Sequence, residues 1–519
     1  MQAVAAAWTM LQISHKADLV AMVQTASMLP VMLLAVVSGA LADMYDRKRV
    51  AIAALTLSLS GASLLAGVAA TGHISPTWIL LCCFITGAGF ALYLPAWQSS
   101  AVEIVGVKAM PAAVSLFSIS TNAARSIGPA LGGVVIAASG MVLAFSLNAV
   151  FYAPIIIALV LWKRKTVPSR LPPERLDRAM IAGLRFIQNS PAIRRVMLRS
   201  LITSMGGAAV YSMLPLVAHD KLHGGPGSYG ILLGAFGLGA VIFALGTTRI
   251  RSRFTPEVIV RSCTIVRVAS LLITAFSPSL LLSAVAMIGA GGALMLETAS
   301  YNVAVQISSP RWVGGRALAM FQTTVAAGLA GGAVLWGRIA TDQGVTIALC
   351  FAAALVLSSL LLVRRLSMAE SVAAEAAPPI GSDPVAKMAL TGRSGPVTIE
   401  VEYRVRSEDA RIFYHAMKEF RRTRERNGAF NTTLARDIAD PELWIERFHF
   451  PTWNDYLRAR DRPTIDDHQV RERAFSFHIG SETPRIRRML ERPTGSVRWH
   501  EDVVDPGESV ALPILVPSG

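Results

Sequence analysis

The feature that most limits what this chain can become is a set of eleven apolar blocks of about 20 residues, the length a helix needs to cross a hydrocarbon layer about 30 Å thick. The blocks run over 19–41, 50–71, 76–99, 112–137, 141–162, 196–217, 227–248, 256–276, 279–301, 316–336 and 345–363. Leu, Ala, Val and Gly dominate them and alternation is lacking, so spanning helices fit better than barrel strands. With 53% hydrophobic and 16% charged residues, the chain has too little polar surface for an ordinary soluble domain. Ahead of the first block, MQAVAAAWTMLQI is apolar but spans only about 20 Å as a helix, too short to cross. It has no basic leader and no small-residue cleavage site, which argues against a signal peptide. It reads as part of a first transmembrane helix whose beginning is lost through a misassigned start, so the intended number is twelve.

Orientation follows from the cations. Alternate links, at 43–49, 101–111, 163–199, 249–261, 306–316 and 364–365, hold 22 Lys and Arg, whereas the opposite links hold three, Lys16, Lys221 and Arg338. The imbalance places the cation-rich links and the C-terminus in the cytoplasm. Residues 1–370 carry 27 basic and 11 acidic side chains and the remainder 22 and 23, so the +15 net charge belongs to the membrane part. A basic inner face drawn to anionic lipid explains it better than nucleic-acid binding does.

The chain also repeats itself. AWQSSAVEIV from Ala96 aligns with ASYNVAVQIS from Ala299, pairing Ala101 with Ala304, Val102 with Val305 and Ile104 with Ile307. Both segments fall at the same place in two six-helix halves, joined by a basic connector at 163–199. Two parallel halves around a central substrate path are the plan of a rocking secondary transporter. The expected division is 1–162 for the first half, 163–195 for a cytoplasmic linker, 196–366 for the second half, 367–395 for a flexible linker, 396–500 for a cytoplasmic α+β domain and 501–519 for a disordered tail.

Between the blocks at 19–41 and 50–71 lies GALADMYDRKR, with Gly39, Asp43, Arg47, Lys48 and Arg49 packed into a very short charged link. An aspartate there can pair with an arginine or meet a helix N-terminus, biasing one gate state. The alternative is that the cations only anchor helix ends. The GxLADxxxRKR pattern resembles the signature loop of the major facilitator superfamily, with Asp46 where many members carry glycine. The matching link in the second half, GTTRIRSR from Gly246, keeps cations and lacks the aspartate.

The block at 112–137 carries NAARSIGPALGG, whose Gly128, Pro129, Gly132 and Gly133 permit bending and close helix contact. This GPxxGG core resembles the antiporter motif of major facilitator drug exporters, without that motif's upstream glycines. Arg125 lies about mid-span, where an unpartnered cation costs at least about 2.5 kcal/mol, so it is expected to face a cavity or a partner. Gln98, Asn122, Asn148, Tyr152, Arg267 and Glu297 are the other polar groups expected to share a transport cavity. Glu297, the only carboxylate deep inside a full span, is the preferred carrier of a coupling proton; a solvated position near the helix end is the competing reading, with Asp43 or Glu103 as the fallback carrier. Cys82, Cys83, Cys263 and Cys350 read as packing thiols. No metal-ligand spacing and no GxxxxGK[ST] loop occurs, so no cofactor, metal or ATP drive is expected.

Beyond Arg365 the composition turns rich in Ala, Pro, Gly and Ser, then into alternating and helical patterns. PVTIEVEYRV reads as a strand, EDARIFYHAMKEFRRTRERNG as a helix, FNTTLARDI and LWIERFHF as strands, and TWNDYLRARDRPTIDDHQVRERAFSF as helical, with a last strand near 497–500. The order suggests a ferredoxin-like α+β domain. Its His415, His449, His468, His478 and His500 are scattered and form no catalytic set.

Taken together, MQAVA, LPVMLLAVVSGALADMYDRKR, NAARSIGPALGG, AGLRFIQNSPAIRRVMLRS and VEYRV with FHFPTWNDYL resemble the transmembrane secretion effector branch of the major facilitator superfamily, which includes relatives of the bacterial enterobactin exporter. The resemblance implies an all-α membrane protein of two six-helix halves in the bacterial plasma membrane, exporting a small molecule such as a siderophore or drug against proton entry. It also implies a tail similar to small dimeric domains of the antibiotic-biosynthesis monooxygenase type, with homodimerisation or regulation as its expected role. A membrane-tethered enzyme or a regulatory scaffold working through the tail is the alternative.

Overall fold

The computed structural model describes residues 2–162, 184–309, 313–363, 388, 390–461, 464–480 and 483–491. They fall into two compact units, one holding 2–162, 192–306 and 314–363, the other 184–191, 307–313 and the residues from 388 to 491.

The first unit is helical throughout. Its helices are α1 (Gln2–Ser14), α2 (Ala17–Met44), α3 (Arg47–Ala70), α4 (Pro76–Val150), α5 (Tyr152–Leu161), α6 (Pro191–Leu216), α7 (Pro226–Arg253), α8 (Pro256–Phe276), α9 (Leu280–Ile307), α10 (Gly314–Gln343) and α11 (Val345–Val363). Nine stretches among the described residues are long and apolar enough to cross a membrane. Proline opens α4, α7 and α8, where its missing N–H and fixed φ are no handicap. Asp46 caps α3 by accepting the Arg49 amide at 3.0 Å. The outward-facing side chains are apolar: Leu281, Leu245, Leu161 and Phe276 are between 68% and 75% exposed, a surface that suits lipid and not water.

Two expected links are helical instead. Backbone hydrogen bonding continues through 101–111, so that α4 covers three expected segments in one run, broken in hand only at Gly140. Gly140 has φ +78, a left-handed turn that marks the boundary expected between the blocks at 112–137 and 141–162. The link AVEIVGVKAM has mostly residues that helices tolerate, and nothing in it forces a stop. Likewise GTTRIRSR lies within α7, whose last turn holds Arg251 and Arg253 where the helix dipole favours cations.

Small residues let helices touch through their backbones. A Cβ on Gly239 would run into the Ile288 carbonyl and one on Gly291 into that of Phe236, so α7 and α9 are in backbone contact. The two halves meet along two seams. In one, a Cβ on Gly337 of α10 would lie 2.6 Å from Ala21 of α2, and Thr25 donates to the Ala330 carbonyl at 3.1 Å. In the other, a Cβ on Gly133 of α4 would lie 2.6 Å from the Gly230 Cα of α7. Helix α1 is buried from Val4 to Leu11, with Trp8 stacked on Tyr229 at 6.2 Å.

The second unit has an antiparallel sheet in the order β2-β3-β1-β4, built from β1 (Val397–Arg404), β2 (Phe430–Arg436), β3 (Leu443–Phe450) and β4 (Arg485–Leu490). Helix α12 (Ala410–Arg426) follows β1, and α13 (Trp453–Asp461) and α14 (Ile465–Phe475) lie between β3 and β4. This βαββαβ order is the ferredoxin-like topology. Phe413, Met417 and Phe420 of α12 pack on Val397, Ile399, Val401 and Tyr403 of β1 as one buried cluster. The expected strand near 497–500 lies outside the described residues; β4 instead comes from RIRRML, an arginine-rich edge strand that pairs with β1 from Val397↔Leu490 to Glu402↔Arg485.

Candidate functional site

Among the described residues, the most buried charges of the helical unit meet where α6, α8 and α9 converge. Arg267 stands on α8 and Glu297 on α9, and their charged ends are 2.5 Å apart, with side chains 4% and 1% exposed. The second guanidinium nitrogen of Arg267 donates to the Thr203 carbonyl of α6 at 2.7 Å, and the Tyr301 hydroxyl donates to the other Glu297 oxygen at 3.1 Å. Tyr301 follows Glu297 by one helical turn, so both point to the same face. Glu297 is therefore not a solvated edge charge, because α9 continues past it to Ile307 and neighbouring helices cover it.

Room for the guanidinium comes from Gly207, where a Cβ would lie 2.8 Å from the nearer Arg267 nitrogen. Beyond it lies a small cavity of about 10 Å³, room for about one water, between Gly207, Val210, Phe236, Leu271, Ala290 and Leu294, with Arg267 on its wall. Arg267 is the one charged group on an otherwise apolar wall.

A second ion pair lies alongside. Arg199 of α6 reaches Glu257 of α8 at 2.8 Å, and Arg261 meets the other Glu257 oxygen at 3.3 Å. Arg199 is fully buried, yet two of its guanidinium nitrogens have no hydrogen-bond partner. A buried donor left unsatisfied is costly. By sequence Arg199 ends the cation-rich link at 163–199, among the inner-face charges; only its place between α6 and α8 shows it buried. The signal available beforehand was Glu257, the one carboxylate in the first turn of α8.

The other expected cavity residues divide. Asn148 is half-buried and donates to Gln2 of α1 at 3.0 Å, while Gln2 donates to Thr86 at 3.1 Å, a neutral cluster in the first half. Tyr152 packs with Ala51, Leu55, Ala96 and Leu159, an apolar neighbourhood. The surroundings of Gln98, Asn122, Arg125 and Pro129 lie outside the described residues, as do those of Gly39, Asp43 and Glu103. Gly128 is half-buried, while Gly132 and Gly133 are buried, with Gly133 at the α4–α7 seam.

Within the charged loop, Lys48 donates to the carbonyls of Val160 and Trp162 at 2.8 and 2.7 Å. It closes the C-terminal end of α5, where unsatisfied carbonyls and the helix dipole both favour a cation. Arg49 is exposed, which suits an anchoring charge, and Arg47 is the first residue of α3. No group of three or more metal-ligating side chains comes together among the described residues.

The geometry is that of a helical carrier with a charged centre, and known proteins agree. The profile of the transmembrane secretion effector family matches residues 1–494. The chain is similar to the multidrug efflux pump Tap of Mycobacterium tuberculosis, at 26% identity over 357 residues covering 66% of this chain and 83% of that protein. It is also similar to the enterobactin exporter EntS of Salmonella choleraesuis, at 27% identity over 44% of this chain and 55% of that protein. Matches to the curated relatives span from 39% to 85% of their own length. In fold it resembles the nucleoside transporter NupG, with a TM-score of 0.58 at 11% identity over 70% of this chain and 94% of that one. The two-half bundle and a family match running through nearly the whole chain lead to one conclusion: this protein belongs to the transmembrane secretion effector family of major facilitator transporters.

Proposed function

We propose that the protein exports a small organic molecule, a siderophore or a drug-like compound, across the bacterial plasma membrane against proton entry, with its C-terminal domain in the cytoplasm. The observation that carries this reading is the buried Arg267–Glu297 pair on the wall of the cavity. The names of Tap and EntS, an efflux pump and an exporter, support the direction and the substrate class.

The pair suits proton coupling for a physical reason. Removing one charge of a buried pair leaves the other uncompensated, at a cost of about 3–5 kcal/mol. A proton on Glu297 does this reversibly: the carboxyl no longer neutralises Arg267, and the contact that ties α8 to α9 loosens. Arg267 keeps the Thr203 carbonyl and is open to an anionic group in the cavity, while Arg199, with spare donors nearby, competes for Glu297 when it ionises again. Protonation and helix separation are then linked, which is what a rocking exchanger requires. The loop around Asp43 and Arg47 would gate the cytoplasmic side, Arg125 would line the path, and the small residues Gly132 and Gly133 would let α4 slide on α7.

The test is uptake of a siderophore and dye panel into inverted membrane vesicles under an imposed pH gradient, comparing the wild type with Glu297→Gln. Gradient-driven uptake in the wild type, lost in Glu297→Gln and on adding a proton ionophore, is the expected result. Uptake that outlives the gradient would rule out proton coupling, and full activity in Glu297→Gln would move the carrier role to Asp43 or Glu103.

A further inference from the structure

The ferredoxin-like unit has a cleft of its own, partly open to solvent and about 40 Å³ in volume, between α12, α13 and α14. Three rings, Phe420, Phe450 and Tyr456, and three cations, Arg424, Arg460 and Arg471, line it, with Asp467 as the one acid among the described residues. Asp467 is already engaged: it pairs with Arg426, accepts from Asn427 at 3.3 Å and takes part in the capping box that starts α14. Arg424 lies 4.2 Å from the rings of both Phe420 and Phe448 and reaches Glu446 at 3.4 Å. The Tyr456 hydroxyl accepts from Arg488 at 2.8 Å and from Arg460 at 3.4 Å.

Arg471 is the least compensated member. Its guanidinium lies 4.8 Å from the Phe475 ring and makes no ion pair among the described residues. Burial, and then the charges of Arg424 and Arg460, push its pKa below the usual guanidinium range. Arg471, in a cleft lined with rings, is suited to an anion, and a flat one fits best between the rings.

The wall of the pocket is bonded to the chain that enters the second transmembrane half. Asp467 holds Arg426, whose guanidinium carbon lies 5.9 Å from the Phe186 ring, and Arg185 donates to the Gly428 carbonyl at 2.9 Å. Residues 184–190 lead directly into α6, the helix that carries Arg199 and Thr203.

We propose that this pocket binds a small aromatic carboxylate and that its occupancy is transmitted through Arg426 and Gly428 to residues 184–190, making the tail a ligand sensor for the transporter. The carboxylate forms charge-assisted bonds with Arg471 and Arg460, and the ring lies among Phe420, Phe450 and Tyr456. The inference uses no step of the transport reading, so either can fail alone.

The test uses the purified full-length chain in detergent, titrated calorimetrically with benzoate and with benzamide, its neutral isostere. Saturable benzoate binding is expected, weaker by about tenfold or more for benzamide and for Arg471→Gln, because each removes a charge-assisted contact. Ala459→Phe, which fills the pocket without removing a charge, should abolish binding and guards against a misfolded Arg471→Gln. Hydrogen exchange of residues 184–190 should slow with benzoate in the wild type and stay unchanged in Arg471→Gln. No saturable binding, equal binding of benzamide, or binding that survives both variants would overturn the site. Binding without any change in exchange would overturn the sensing link.

Discussion

The two transmembrane halves hold their polar centres by different physics. In the first half, Gln2, Thr86 and Asn148 are linked by neutral hydrogen bonds of 3.0–3.1 Å. In the second, Arg267 and Glu297 form an ion pair supported by Thr203 and Tyr301, with the Arg199–Glu257 pair beside it. Neutral bonds in an apolar interior contribute modestly whatever the pH, whereas an ion pair there depends on every charge remaining in place. Among the described residues, then, the first half holds a neutral polar cluster and the second a charged one, the arrangement on which the proposed coupling rests.

The strongest challenge to that comparison is Arg267→Ala, which strands the Glu297 charge and should destabilise the detergent-purified protein by about 3 kcal/mol or more in a thermal melt. Pairing Arg267→Met with Glu297→Leu removes both charges and should regain most of that stability while transport stays absent. A double variant as unstable as the single one would show that packing, not charge, holds α8 and α9 together. At the α4–α7 seam, Gly133→Val must force the helices apart and should cost about 1–3 kcal/mol. Asn148→Ala should cost about 1 kcal/mol with the same loss at pH 5 and pH 8, since no charge is involved. The smallest effect belongs to Lys48→Met, about 0.5 kcal/mol from the lost cap on α5, with transport retained.

Much of this architecture was legible beforehand because lipid imposes simple rules. Apolar runs long enough to cross and cations gathered on alternate links identify a helical membrane protein without any knowledge of packing. The tail's strands from Val397 and Leu443 follow their alternation, and its long helix ends before Gly428 as expected. The misses have physical causes. Strand β4 was hidden because an edge strand carries arginines that read as a solvated run. Asp46 appeared as a departure from a family glycine, and the fold uses it to cap α3.

The candidate site was only half visible. Arg267 and Glu297 could each be singled out, since a charge inside an apolar run is costly, but nothing in their spacing of thirty residues says that they pair. The contact of Lys48 with the end of α5 and the burial of Arg199 are likewise not written in their sequence neighbourhoods. The amino-acid sequence alone determined that this chain lives in a bilayer, because hydropathy and charge act residue by residue. Which polar groups meet was decided only by the tertiary structure, because partners come from different helices and glycines such as Gly133 and Gly207 set how closely those helices approach.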